Sequence, residues 1–198
     1  MQLGCSQQTS VPVTQRKSNY LLSSKLKVQI LPGTFLKGSL MSDQYHMFWG
    51  GPFSQWYPSV FEVDGVTYNC AEQYMMAKKA ELFGDDVALA KIMESPDPRE
   101  QKRLGRTVKG FVDWTWNAVA RDVVFRGNVA KCSQNLSIQA YLLATINREI
   151  VEASPEDVIW GIGLAADDPD AQDKNSWQGT NWLGMVMMDV RAALRGYK

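Results

Sequence analysis

Glu72 and Lys79 stand seven residues apart in Asn69-Cys70-Ala71-Glu72-Gln73-Tyr74-Met75-Met76-Ala77-Lys78-Lys79-Ala80. At 100° per residue, that spacing leaves them about 20° apart around a helix and two turns apart along it. A carboxylate and an ammonium then share one face, with Met76 between them and Tyr68 and Phe83 at either end. Such a face can grip a polar sugar phosphate beneath an aromatic lid. The same residues also have a structural use. Asn69 as N-cap with Glu72 at N3 makes a capping box, in which the glutamate does no more than satisfy the helix's first amides.

A second acid lies in Glu152-Ala153-Ser154-Pro155-Glu156-Asp157-Val158-Ile159-Trp160-Gly161-Ile162-Gly163. Ser154 suits an N-cap, Pro155 suits N1 and Asp157 falls at N3, so a short helix is expected here. Trp160 follows three residues later on nearly the same face. Gly161 and Gly163 permit close backbone approach by a ligand, but the order is not the Gly-x-Gly-x-x-Gly of a dinucleotide fold. The cations Arg103, Arg106, Lys109 and Lys131 flank Gly105, Gly110 and Gly127. A guanidinium matches phosphate oxygens with a rigid fork. Arg106, at an expected helix end, is the best placed of them. Residues 127–135 read as a polar loop whose Asn128 and Lys131 can offer donors to a sugar. The seven tryptophans, Trp49 among them, supply core and also flat walls for a ligand ring.

His46 is the single histidine and sits just before the aromatic stretch 47–53. A histidine-based triad or a histidine-rich metal centre is therefore disfavoured, and acid–base work falls to carboxylates. No metal and no cofactor is expected. Cys70 and Cys132 read as small buried hydrophobes.

These residues need elements to position them. Val60 to Tyr68 reads as a hairpin whose Asp64-Gly65 turn tolerates positive φ. Helices are expected over 70–83, stopped by Gly84, and over 86–94, stopped by Ser95-Pro96. Others are expected over 99–104, from 113 to about 125 before Gly127, over 136–146 and over 181–195. The fold class is mainly α, or α+β with minor short strands: a compact multihelical domain over 43–198, not a doubly wound sheet.

Residues 1–42 differ in character. They hold five basic and no acidic residues, leaving sixteen basic against all 21 acidic residues in the remainder. Residues 26–30 alternate as a strand would. The segment suits a dispensable extension, an added strand, or an organellar transit peptide.

The full chain of 198 residues balances 21 basic against 21 acidic residues, so no global footprint for nucleic acid exists. Its three scattered cysteines do not read as a disulfide framework, and a reducing, cytoplasmic compartment is the simpler expectation. No stretch approaches the roughly 20 apolar residues of a membrane span.

Several long strings together resemble the YbiA-like family, also called NADAR domains. They are FWGGPFSQWYPSVFEVDGVTYNCAEQYMMAKKAELFGDD at 48–86, LGRTVKGF at 104–111, GNVAKCSQN at 127–135, LLATINREIVEASPEDVIWGIGL at 142–164 and NWLGMVMMDVR at 181–191. The resemblance covers about residues 45–195. It implies a compact, mostly helical, metal-free N-glycosidase. The implied substrates are phosphoribosylamino-pyrimidine intermediates of riboflavin biosynthesis, cleaved by water to ribose 5-phosphate and the free amino-pyrimidine. Other branches of the family resemble hydrolases that remove ADP-ribose from modified guanine, in nucleosides or nucleic acid. A non-catalytic nucleotide or ADP-ribose binding module is the remaining alternative.

Carried onto this chain, the resemblance implies that Glu72 and Asp157 are the catalytic carboxylates. Lys79 and Arg106 would hold phosphate. Trp160 would stack on the base. Trp49, Lys131 and Asn128 are expected to complete substrate binding from their residue types alone, outside the resemblance. The chain departs from the family in having Gln55-Trp56 where Asn-Phe is frequent, and Cys132 where Phe is frequent. Both departures bear on the substrate more than on the reaction.

Overall fold

The computed structural model describes residues 44–196. The basic extension and the strand expected at 26–30 lie outside them. Six α-helices carry the described fold: α1 (Ala71–Leu82), α2 (Asp86–Glu94), α3 (Pro98–Arg106), α4 (Asp113–Gln134), α5 (Leu136–Leu143) and α6 (Trp182–Gly196). Four short strands, β1 (Tyr45–Phe48), β2 (Phe61–Val63), β3 (Val66–Tyr68) and β4 (Glu149–Glu152), form two separate pairs. The mainly helical architecture agrees with the expectation from sequence. None of the described helices is long and apolar enough to cross a membrane.

Local chemistry explains most boundaries. Asp64 and Gly65 both adopt positive φ in the turn between β2 and β3, which pairs Phe61 with Tyr68 and Val63 with Val66. Gly84, at φ 66°, ends the first helical segment. The Asp85 side chain accepts from the Ala88 N–H and starts α2, and Asp97 with Pro98 starts α3 in the same way.

Three expectations fail for tertiary reasons. First, α4 runs through Gly127 to Gln134, so the polar stretch 127–135 is helix and not loop. Gly127 is there because α1 crosses at that point. A Cβ on Gly127 would stand 2.5 Å from the Tyr74 ring, so the missing side chain serves helix packing.

Second, the expected capping box does not form. Cys70 is the N-cap of α1 and makes no side-chain cap bond. The Asn69 amide instead donates to the Ser95 and Pro96 carbonyls, and Gln73 Oε1 accepts from the Asn69 N–H. The Glu72 N–H goes to the Gln55 carbonyl at 2.9 Å.

Third, residues 154–160 form no helix. Asp157 Oδ1 accepts from the Ile159 and Trp160 N–H groups at 2.9 and 2.7 Å, closing a side-chain turn instead. Gly161 allows close approach, but by the protein's own Glu152 and Asp157 carbonyls, each 2.9 Å from where its Cβ would be.

The core fills the space between α1, α4 and α6. It includes Phe53, Tyr68, Tyr74, Ala77, Val124 and Met187. β1 and β4 pair in parallel, Tyr45 with Glu149 through Phe48 with Glu152. Helix α6 seats directly on β4. Asn181, at positive φ, donates to the Ile150 carbonyl and accepts from the Glu152 N–H. A Cβ on Gly184 would stand 2.1 Å from the Ile150 carbonyl oxygen. Gly184→Ala must push α6 off β4, and is expected to lower stability by about 3 kcal/mol. A urea titration checks this, and an unchanged midpoint contradicts the seating.

Candidate active site

A cavity of about 400 Å³ opens where α1, α3, the start of α4, the end of β4 and the turn at 154–160 converge. Glu72, Met76 and Lys79 line it from a single face of α1. Lys102 and Arg106 enter from α3, and Asp113, Trp116 and Asn117 from α4. Glu152, Asp157 and Trp160 close the far side, with Trp49 at the rim. The 100° spacing thus places Glu72 and Lys79 on a shared wall.

A larger hollow of about 680 Å³ lies between the β2–β3 hairpin, α1 and α4. None of the site residues expected from sequence lines it, and its Lys78 is already paired with Glu81 at 2.8 Å.

Two expected contacts lie behind the wall. Lys131 is fully buried and donates to the Ser54 carbonyl at 2.8 Å. Asn128, also fully buried, donates to Gln55 Oε1 at 2.9 Å and to the Val124 carbonyl. Because 127–134 is helical, both side chains point into the protein, and neither lines the cavity. They hold the Ser54-Gln55 segment, which does line it. Gln55 Nε2 is left buried and without a partner among the described residues. Of the other cations, Arg103 is tied to Glu100 at 2.6 Å, and the Lys109 side chain does not line the cavity. His46 packs against Phe53 and Tyr141, away from the site.

The carboxyls sit in unusual surroundings. Burial pushes Glu72 up to about 7, with the Lys102 charge and the Trp56 indole pulling the other way. Burial pushes Glu152 up to about 8, with the negative charges of Asp157 and Glu72 adding to it and Lys102 opposing. Desolvation lowers Lys79, partly offset by Asp113. The Lys79 ammonium rests 3.9 Å from the centroid of Phe111, an attractive cation–π distance. Trp160 meets Trp182 edge to face at 5.6 Å, and the Arg121 guanidinium lies 5.8 Å over the Trp182 ring. No group of three or more His, Cys, Asp or Glu side chains among the described residues is arranged to hold a metal ion.

Reading from sequence missed Glu152, Lys102, Asp113 and Asn117 as site residues. Glu152 carried one signal: an acid directly after the apolar pair Ile150-Val151, at the end of a strand. Lys102 carried the helical offset of four from Arg106.

The arrangement joins proton-holding carboxyls to cations and aromatic walls in one hollow. Known proteins resemble the chain in sequence and fold. The NADAR domain model matches residues 46–195. An N-glycosidase of Acanthamoeba polyphaga mimivirus is 46% identical over 144 residues, covering 70% of this chain and 85% of that protein. The chloroplastic riboflavin biosynthesis protein PYRR of Zea mays is 31% identical over 160 residues, covering 74% of this chain but 24% of that protein. The solved structure of YbiA from Escherichia coli superposes with a TM-score of 0.65 at 27% identity, covering 78% of this chain and 87% of that one.

Proposed function

Since this chain belongs to the NADAR domain family and is an N-glycosidase, we propose that it hydrolyses the ribosyl–nitrogen bond of phosphoribosylamino-pyrimidines of the riboflavin route, releasing ribose 5-phosphate. One observation carries this reading. Carboxyls, cations and tryptophans line one cavity of about 400 Å³, with Glu72 and Lys79 on one wall and Glu152, Asp157 and Trp160 across from them. That volume lies near the small end of the roughly 300–1,000 Å³ range of ligand pockets. It suits one sugar phosphate and one heterocycle.

Each group has a task in that reaction. Breaking the bond builds positive character on C1 and the ring oxygen of the sugar. Glu72, when ionised, stabilises that charge and draws a proton from the attacking water. Lys79 and Arg106 hold the phosphate, Lys79 pinned against Phe111. Trp160 stacks on the pyrimidine, and Trp49 covers it from the rim. Asp157 spends Oδ1 on its own turn and offers Oδ2 to the ribose hydroxyls. Gln55 presents its unpartnered amide N–H to a carbonyl of the base. The chloroplastic maize relative, a riboflavin biosynthesis protein by name, supports this choice of substrate.

A second reading, removal of ADP-ribose from guanine, is favoured by Asn117. That residue lines both the cavity and a further hollow of about 480 Å³ containing Arg121. That hollow offers room for a second phosphate and a nucleoside.

Incubating the protein with freshly made 5-amino-6-ribosylamino-uracil 5′-phosphate, beside ADP-ribosylated guanosine, tests both readings. Release of ribose 5-phosphate from the first at a kcat/KM at least tenfold higher supports the proposal. Preferential release of ADP-ribose from the second overturns it. Binding without product from either compound overturns both readings.

A further inference from the structure

Glu152 lines the cavity but has no task in the scheme above. Its backbone is fixed from both sides. The Asn181 side chain accepts its N–H at 2.9 Å, and its carbonyl accepts the Ile162 N–H at 2.9 Å. Its carboxyl is different: Oε2 is buried and has no hydrogen-bond partner among the described residues. An orphaned buried carboxylate oxygen is costly, whereas a neutral carboxylic acid carries an O–H that can point at a ligand. Asp157 cannot take this part as easily, because its Oδ1 already accepts two backbone N–H groups.

We propose that Glu152 is the general acid of the reaction, a catalytic residue that protonates the departing nitrogen while Glu72 receives a proton from water. This role rests on the N-glycosidic reading of the site. The balance is complete. The C1–N bond breaks and its electron pair goes to nitrogen, which takes the Glu152 proton. The water oxygen bonds to C1 and its proton goes to Glu72. Exchange with solvent then returns one proton to Glu152 and removes one from Glu72. No oxidant, metal or second substrate is needed.

The electrostatics agree. Burial first, and then the negative charges of Asp157 and Glu72, push Glu152 up to about 8, while Glu72 is held at about 7. The charged groups facing this space come from every wall. They are Glu72 and Lys79 on α1, Lys102 and Arg106 on α3, Asp113 on α4, and Glu156 and Asp157 on the turn. Burial raises both acids, and the repulsion of Asp157 and Glu72 adds to the tendency of Glu152 to keep its proton.

The test compares two leaving groups that share ribose 5-phosphate. The ribosylamino-uracil phosphate needs a proton on its nitrogen to depart. p-Nitrophenyl riboside 5-phosphate departs as a stable anion and does not. Glu152→Gln is expected to lose about 100-fold in kcat on the first and less than about threefold on the second. It should also lose the fall in rate above about pH 8. A second measurement needs no variant: the wild-type profile should show that alkaline fall with the amino compound and lack it with the nitrophenyl compound. Equal losses on both compounds, or an alkaline fall shared by both wild-type profiles, overturn the role of Glu152 alone. A wild type that turns over neither compound overturns the substrate reading, and this role with it.

Discussion

Glu72→Gln is expected to lower kcat about 1,000-fold, with KM changed less than threefold, and to make the fold more stable above pH 7. The catalytic loss follows from removing the only α1 carboxyl in the cavity. Charge stabilisation at C1 and proton removal from water disappear together, jointly worth about 4 kcal/mol in the transition state. Phosphate and base contacts remain, so ground-state binding is retained.

The gain in stability follows from linkage. Glu72 is held at about 7 in the folded protein, against an ordinary value of 4.5. Between those pH values the folded state binds more protons than the unfolded chain, so wild-type stability falls as pH rises through that window. Above pH 7 the full cost of burying the charge, on the order of 3 kcal/mol, is present. Glutamine never bears it. Melting temperatures of the two proteins should therefore converge near pH 4.5 and separate by pH 8, the variant higher. Parallel melting curves across that range, or a kcat loss below tenfold, would remove Glu72 from the mechanism.

Lys131→Met is expected to stabilise the protein by about 2 kcal/mol at pH 7 while lowering kcat/KM about tenfold. Burial brings the Lys131 ammonium down to about 8 from 10.5. Below pH 8 the folded state carries a charge it has desolvated. Between about 8 and 10.5 the folded state binds fewer protons than the unfolded one, so wild-type stability rises with pH there. Methionine matches the volume and carries no charge, and such replacements of buried ions are commonly stabilising. The gain is reduced by the lost hydrogen bond to the Ser54 carbonyl.

That same loss affects function. Ser54 and Gln55 form part of the cavity wall, and the Gln55 carbonyl also caps the Glu72 N–H. Freeing this segment displaces both a binding group and the start of α1. Urea titration at pH 7 and at pH 10.5 checks the stability claim, since the advantage should shrink at the higher pH. Unchanged kcat/KM in Lys131→Met would show that the Ser54 bond does not position the wall.

What could be read in the sequence was what local chemistry controls. Asp64-Gly65 set its turn, Gly84 ended its helix and the Glu72–Lys79 spacing predicted a shared wall, because each depends on neighbours within a few residues. Gly127 misled because the same absence of a side chain serves a helix break and a close helix crossing. Only the position of the Tyr74 ring decides between them. Asn69 and Asp157 had the right types for helix caps, but other amides reached them first. Glu152 went unnoticed as a site residue because its importance comes from where β4 ends relative to α1 and α3. No periodicity within its own segment encodes that.

The pairing of β1 with β4 has a consequence for how the enzyme matures. It joins the first strand to one about a hundred residues later, and α6, made later still, clamps the second of them through Asn181. The α1–α3 cluster is built from contacts close in the chain and can condense early, whereas pairings with high contact order close late. Glu72 and Lys79 would therefore be mounted while the opposing acid is still waiting on the ribosome, and a nascent chain would stay hydrolytically silent until its last helix docks.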